Sequence, residues 1–169
     1  PNNPTGNSIP FSDIKTILNT FSGIVVIDEA YIEFAGKSMA EDILKYSNGI
    51  VLRTFSKAMG LAGLRIGYSI CNTDLALQIY RVKPPYNLNT FSQKAAILSL
   101  ENIDIIQQRI SYIKEQRKKL IALLNEIEGI HTYPTESNFI LIRVPDGDKV
   151  YNALLEQGIL VRNFSDHPL

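Results

Sequence analysis

Two short runs of aliphatic, mostly β-branched residues, each stopped abruptly by polar ones, constrain the fold more than any other feature. Ile24-Val25-Val26-Ile27 ends at Asp28-Glu29, and Ile50-Val51-Leu52 ends at Arg53-Thr54. Continuous apolar runs of this length read as strands buried on both faces. In front of the first, Ile14, Ile17, Leu18 and Phe21 fall on one side of a helix that starts near Phe11, with Gly23 expected to close it. Helix and strand in alternation predict parallel strands joined by helical crossovers. Ligands of such sheets bind beyond the carboxyl ends of the strands, so Asp28 and the segment Thr54 to Lys57 both open onto the expected crevice.

Further along, Gly60, Gly63 and Gly67 punctuate the chain and Tyr68 to Cys71 suggest another strand. Pro84-Pro85 breaks the pattern and sets the expected boundary between a unit at 1–83 and a second at 84–169. Ile103, Ile106, Ile110, Ile113, Leu120, Leu124 and Ile127 then follow a three-four repeat interrupted by Arg117. That predicts a long helix, with Gly129 just past its end, packing on its own sheet rather than forming a coiled coil. Asn138 to Val144 reads as a strand, Asp148 to Gln157 as a helix capped by Gly158, and Ile159 to Arg162 as another strand. The chain opens inside a turn-like PNNPTG string and stops at Asp166-His167-Pro168-Leu169 with no evident terminal element, so it reads as a piece of something longer.

The 169 residues suffice for an ordinary core. With 17 Lys and Arg against 17 Asp and Glu, and no long block of either sign, no broad field favours nucleic acid or an anionic membrane, and any anion must be held locally. A single Cys71 excludes an internal disulfide framework, and no apolar run approaches the length of a membrane span. The expectation is a soluble cytoplasmic protein.

The polar residues at the strand ends gain meaning together. VVIDEAYIEF sets an acid at the end of one strand and Tyr31 three residues on, and TFSKAMGLAGLRIGY sets Lys57 after another strand and Arg65 eight residues later. With PNNPTG in front, KPPYNLN at Lys83 to Asn89, and GILVRN at Gly158 to Asn163, the chain resembles the fold-type I aminotransferases, most closely the histidinol-phosphate aminotransferases.

That resemblance implies an α/β fold: the C-terminal half of a large domain that binds pyridoxal 5'-phosphate, then most of a small α+β domain. It implies reversible transamination between histidinol phosphate and 2-oxoglutarate, in histidine biosynthesis, by a homodimer whose sites borrow residues across the interface. Lys57 matches the lysine that holds the cofactor as a Schiff base and then shuttles a proton. Asp28 matches the buried acid that pairs with the pyridine nitrogen, and Asn3 and Tyr31 match the donors to the ring's phenolic oxygen. Thr54, Ser56 and Arg65 would hold the cofactor phosphate with two hydroxyls and a permanent charge. Arg162 matches an arginine of the substrate pocket. The glycine-containing part of the phosphate cup is expected upstream of Pro1 and a second substrate arginine after Leu169, so the segment alone is expected to bind cofactor weakly and not to turn over.

Other signals are set aside. Gly36-Lys37-Ser38 ends like a phosphate loop, but its required first glycine is replaced by Tyr31. His131 and His167 are too scattered for a metal site, so no metal is expected. The rival readings are an aromatic aminotransferase or a related amino-acid-phosphate decarboxylase, and a regulatory domain that binds the cofactor without turnover.

Overall fold

The computed structural model describes residues 1–164. His167 and the other residues after 164 lie outside it.

Helix α1 runs from Phe11 to Thr20, with Ile14 and Leu18 buried. Asn48, not Gly23, secures its end: the Asn48 side-chain amide donates to the carbonyls of Leu18, Phe21 and Gly23 at 3.2, 2.9 and 3.3 Å. The first is a carbonyl that the helix end leaves without a partner, and the other two lie in the segment just beyond it. Strand β1 (Val25–Asp28) follows, then a single-turn helix α2 (Ile32–Ala35), a 3-10 turn at Asp42–Lys45, and β2 (Gly49–Thr54). β1 and β2 pair in parallel, from Val25 opposite Gly49 to Asp28 opposite Leu52, as the alternation predicts. β3 (Gly67–Cys71) is antiparallel to β2, from Ile50 opposite Cys71 to Thr54 opposite Gly67. The chain between them folds back as a loop, in which Phe55 N–H donates to Ile66 O at 3.1 Å and Leu61 N–H to Phe55 O at 2.9 Å. A return of this kind, without a crossover helix, yields an antiparallel pair.

The period of two along a strand gives this sheet two different faces. Val25, Ile27, Val51 and Ile70 pack with Ile14, Leu18, Met39 and Ile43 to form the core. On the other face Ile24, Val26 and Leu52 are 50%, 54% and 40% exposed, which corrects the expectation of burial on both sides. α1 and the 3-10 turn lie on one side only.

Helix α3 (Thr73–Val82) and helix α4 (Thr90–Glu101) start at Asn72 and Asn89, whose side chains accept from Leu75 N–H and Ser92 N–H. Such caps satisfy donors that a helix start leaves free. Ser92 also donates its hydroxyl to Leu64 O at 2.7 Å, and Ala96 is buried with Phe55 and Ile66, so α4 lies against the loop between β2 and β3.

The long helix α5 (Ile103–Asn125) ends four residues short of Gly129, and packs against α2, α4 and strand β4 (His131–Thr132). Arg117, the break in its apolar stripe, donates to Ser137 O at 2.5 Å. β4 pairs antiparallel with β5 (Ile142–Arg143), far shorter than the strand expected over Asn138 to Val144. The Thr135 hydroxyl accepts from Ser137 N–H and donates to Phe139 O, and such a side-chain turn takes backbone groups away from a ladder.

The last helix, α6 (Gly147–Glu156), starts at Asp146, which accepts from Lys149 N–H. It ends in a left-handed Gly158, φ 75°, with Gly158 N–H bonded to Leu155 O and Ile159 N–H to Leu154 O. That is a Schellman ending, which reverses the chain. The strand expected at Ile159 to Arg162 does not form, and Ile159, Leu160 and Val161 stay exposed.

The opening turn is tied to the second half of the chain. Gly6 is left-handed, φ 78°, its carbonyl accepts from Glu136 N–H at 2.8 Å, and a Cβ there would overlap the Thr135 side chain. Only glycine meets both demands without strain.

Candidate active site

Because side chains alternate, Asp28 and Thr54 at the ends of β1 and β2 emerge on the open face of the sheet. Asp28 Oδ1 accepts from Ala30 N–H at 2.9 Å, which turns the chain sharply out of the strand and sets Tyr31 at the entry to α2. The Tyr31 hydroxyl accepts from Asn3 Nδ2 at 3.0 Å. Lys57 Nζ stands 5.1 Å from the centre of the Tyr31 ring. Asn3, 28 positions before Tyr31, and Lys57 thus both approach its side chain: the structure brings together Asn3, Tyr31 and Lys57, beside the strand end that carries Asp28.

Thr54 Oγ1 accepts from Ser56 N–H at 3.0 Å, which bends the chain after β2 and lifts Ser56 and Lys57 clear of the sheet. Gly60 N–H closes the turn on Lys57 O at 3.1 Å. Arg65 takes a left-handed backbone, φ 51°, and its guanidinium holds Ala62 O at 3.1 Å while the side chain stays exposed. Asp28, expected to be buried, is exposed. Arg162 is not gathered into this group; its guanidinium stands 5.2 Å from the centre of the Phe164 ring.

A cleft of about 790 Å³ runs along the free edge of β1, with Asn3, Asp28 and Tyr31 in its wall and Ile14, Ile17 and Val26 lining its apolar part. Lys57, Thr54, Ser56 and Arg65 stand outside that wall.

Two features went unread in the sequence. Phe139 sets its ring at 88° to that of Tyr31, with 5.3 Å between centres, so the second half of the chain also touches the site. Beneath the site, on the covered face, Glu29 is 3% exposed and accepts from Arg53 Nε at 2.8 Å, Ser38 Oγ at 2.7 Å and Met39 N–H at 2.7 Å. Arg53 also reaches Glu33 Oε1 at 3.2 Å and Ser38 Oγ at 2.8 Å. Ser38 thus serves this network, in keeping with its rejection as a phosphate loop. Burial pushes the Glu33 carboxyl above its usual range, against the pull of Arg53. The signal was available: Glu29 and Arg53 share the strand parity of Val25, Ile27 and Val51, and polar residues at buried positions of a strand must find partners.

The sequence matches the family Aminotransferase class I and II over residues 1–167. The chain belongs to the class I and II aminotransferases. Among its relatives in that family is a histidinol-phosphate aminotransferase of Thermoanaerobacter sp. (strain X514), 50% identical over 165 residues, covering 98% of this chain and 47% of that protein. The chain therefore spans about half the length of the curated relatives it matches. Among solved structures, the histidinol-phosphate aminotransferase of Clostridium acetobutylicum superposes with a TM-score of 0.87 at 34% identity, over 95% of this chain and 51% of that one. The Sinorhizobium meliloti histidinol-phosphate aminotransferase, in complex with pyridoxal-5'-phosphate, gives 0.84 at 26%, over 95% and 46%. The architecture is accordingly part of the fold-type I α/β domain followed by a small α+β region. Among the described residues no helix is long and apolar enough to cross a membrane, and no group of His, Cys, Asp and Glu could hold a metal ion.

Proposed function

We propose that the protein is a pyridoxal-phosphate-dependent aminotransferase that exchanges an amino group between histidinol phosphate and 2-oxoglutarate, or glutamate and imidazole acetol phosphate in reverse, as a step of histidine biosynthesis. The observation that carries the reading is the convergence of Asn3, Tyr31 and Lys57 beside Asp28. The relatives named above support the choice of substrate.

The donor set fits the cofactor. Tyr31 accepts from Asn3, so its own hydroxyl proton and the second Asn3 amide proton are left to meet one shared anionic oxygen. When bound, the cofactor supplies an aldehyde that condenses with amines and a ring that takes up electrons. Asp28 would hold the proton on the pyridine nitrogen by a direct ion pair. Asn3 and Tyr31 hold the phenolic oxygen as an anion without adding a charge. Thr54, Ser56 and Arg65 bind the phosphate, with hydroxyls and a guanidinium that stays charged. Lys57 would supply the attaching amine, and its Nζ would take the proton from the substrate's reacting carbon and return it in the reverse direction.

Arg162 takes the substrate's anionic group in this reading. The test is a coupled transamination assay on the protein at its full natural length, with histidinol phosphate against other amino donors. Histidinol phosphate should give the largest kcat/KM, and Arg162→Gln should lower it by about 10- to 150-fold, the value of roughly 1.5 to 3 kcal/mol for a charge-assisted bond. Histidinol, lacking the phosphate, should be nearly indifferent to the substitution. Preference for an aromatic donor, or carbon dioxide release from an amino-acid phosphate, would replace the substrate assignment. Binding without any turnover would favour the regulatory reading.

We further propose a cytoplasmic homodimer and a division into units at 1–83 and 84–169. Tyr80, Val82, Tyr86 and Phe91, 71% to 98% exposed around that boundary, are the apolar surface a second copy would cover. Light scattering should give twice the chain mass, and limited proteolysis should cut first near Pro84. A monomer would reject the dimer, and first cleavage at Asn102 would move the boundary beyond α4.

A further inference from the structure

Arg53 ties together the two strand ends from which Asp28, Tyr31, Thr54 and Lys57 are presented. Its neighbour in the chain is Thr54, which begins the segment running to Lys57. Nε reaches Glu29 at 2.8 Å, and Glu29 is bonded in sequence to Asp28. Nη1 reaches Glu33 at 3.2 Å, in the single-turn helix that Tyr31 opens. Nη2 reaches Ser38 at 2.8 Å, which in turn holds Glu29. The backbone continues the tie, with Glu29 N–H donating to Leu52 O at 2.9 Å.

The environment makes these bonds rigid. The Arg53 and Glu29 side chains are 15% and 4% exposed and Glu33 is 13% exposed, so water competes little for them. Glu29 has both oxygens engaged, whereas Glu33 Oε2 is buried with no hydrogen-bond partner. Two carboxylates, one buried and one largely so, therefore share one guanidinium, and among the described residues Arg53 is the only cation in an ion pair with either. A planar fork of donors with fixed angles can hold two carboxylates and a hydroxyl at once; an ammonium is a point charge and cannot fix those directions.

We propose that Arg53 is a positioning residue, whose guanidinium, forked between Glu29 and Glu33 under the sheet, fixes the spacing between the strand end that carries Asp28 and Tyr31 and the one that carries Thr54 and Lys57. The proposal rests on the reading that these residues hold pyridoxal phosphate. Under that reading Asp28 and Lys57 would each hold one part of the cofactor, and a gap that breathes would bind a rigid ring poorly. Arg53 lies on the covered face of the sheet, opposite the face on which Asp28 and Thr54 emerge. It acts through Asp28 and Lys57.

The test uses the protein at its full natural length, with three forms: wild type, Arg53→Lys, and a charge-free variant combining Arg53→Met with Glu29→Gln and Glu33→Gln. Each is titrated with pyridoxal phosphate by absorbance, scanned in pH for the midpoint of the bound cofactor's colour change, reduced with borohydride for attachment at Lys57, and melted without cofactor. Arg53→Lys should melt within a few degrees of wild type, yet bind the cofactor about tenfold more weakly and shift the pH midpoint. The charge-free variant leaves no stranded charge and should fold, with the same or a larger loss of binding. A lower melting temperature with unchanged binding and midpoint would make Arg53 merely structural and overturn the proposal, as would Arg53→Lys matching wild type in every readout. Wild-type protein with nothing trapped on Lys57 would instead overturn the cofactor reading itself, and this proposal with it.

Discussion

Lys57→Ala should abolish covalent capture of pyridoxal phosphate and lower transamination by at least about four orders of magnitude, the upper range for removing a general acid-base group. The expectation follows from position. Lys57 Nζ stands beside the Tyr31 ring, at 5.1 Å, and the turn closed by Gly60 holds its backbone in place. Borohydride reduction followed by peptide mass mapping should put the cofactor on the wild-type peptide that contains Ser56-Lys57 and leave the variant unlabelled. Label on another lysine, or normal turnover by Lys57→Ala, would refute the assignment. Added methylamine offers a further check, because an external amine can restore the lost proton transfer only if that is what Lys57 supplied.

Asp28→Asn should leave capture at Lys57 intact and slow the proton-transfer step by about three orders of magnitude, roughly 4 kcal/mol of transition-state stabilisation. The substitution keeps the side chain's shape and its acceptor oxygen for Ala30 N–H, so the turn after β1 survives. What is lost is the negative charge that keeps a proton on the ring nitrogen. Single-turnover kinetics with substrate deuterated at the transferring carbon isolates that step. An unchanged rate constant would make Asp28 a turn residue only.

The sheet and the site were legible to different degrees, for physical reasons. Aliphatic runs ending in polar residues gave β1, β2 and their parallel pairing, because an apolar run must be buried and a helical stretch must cross over. The orientation of β3 was not legible, since it depends on how the loop from Phe55 to Ile66 closes on itself. Burial of Val26 was overestimated because residue type records what a face prefers and not what lies against it. The strand at Asn138 was lost to the Thr135 hydroxyl, a local competitor that apolar pattern ignores.

For the site, motif strings named Asn3, Asp28, Tyr31 and Lys57, and three of them do meet in space. Motifs could not name Phe139 or Arg53. Phe139 approaches Tyr31 through a fold-back of more than a hundred residues, and Arg53 acts on the hidden side of the sheet. Arg162 was placed by its string alone, and the strand meant to present it does not form.

The clamp between Gly6 and the segment at Thr135 and Glu136 makes the opening turn a passenger of the second half of the chain. Asn3 sits in that turn, and Tyr31 receives Asn3 on its hydroxyl and Phe139 on its ring. The phenol is thus held from both directions by pieces that are bonded to each other. The direction in which the phenol points is therefore set by the turn between β4 and β5, a region that never meets the reacting atoms.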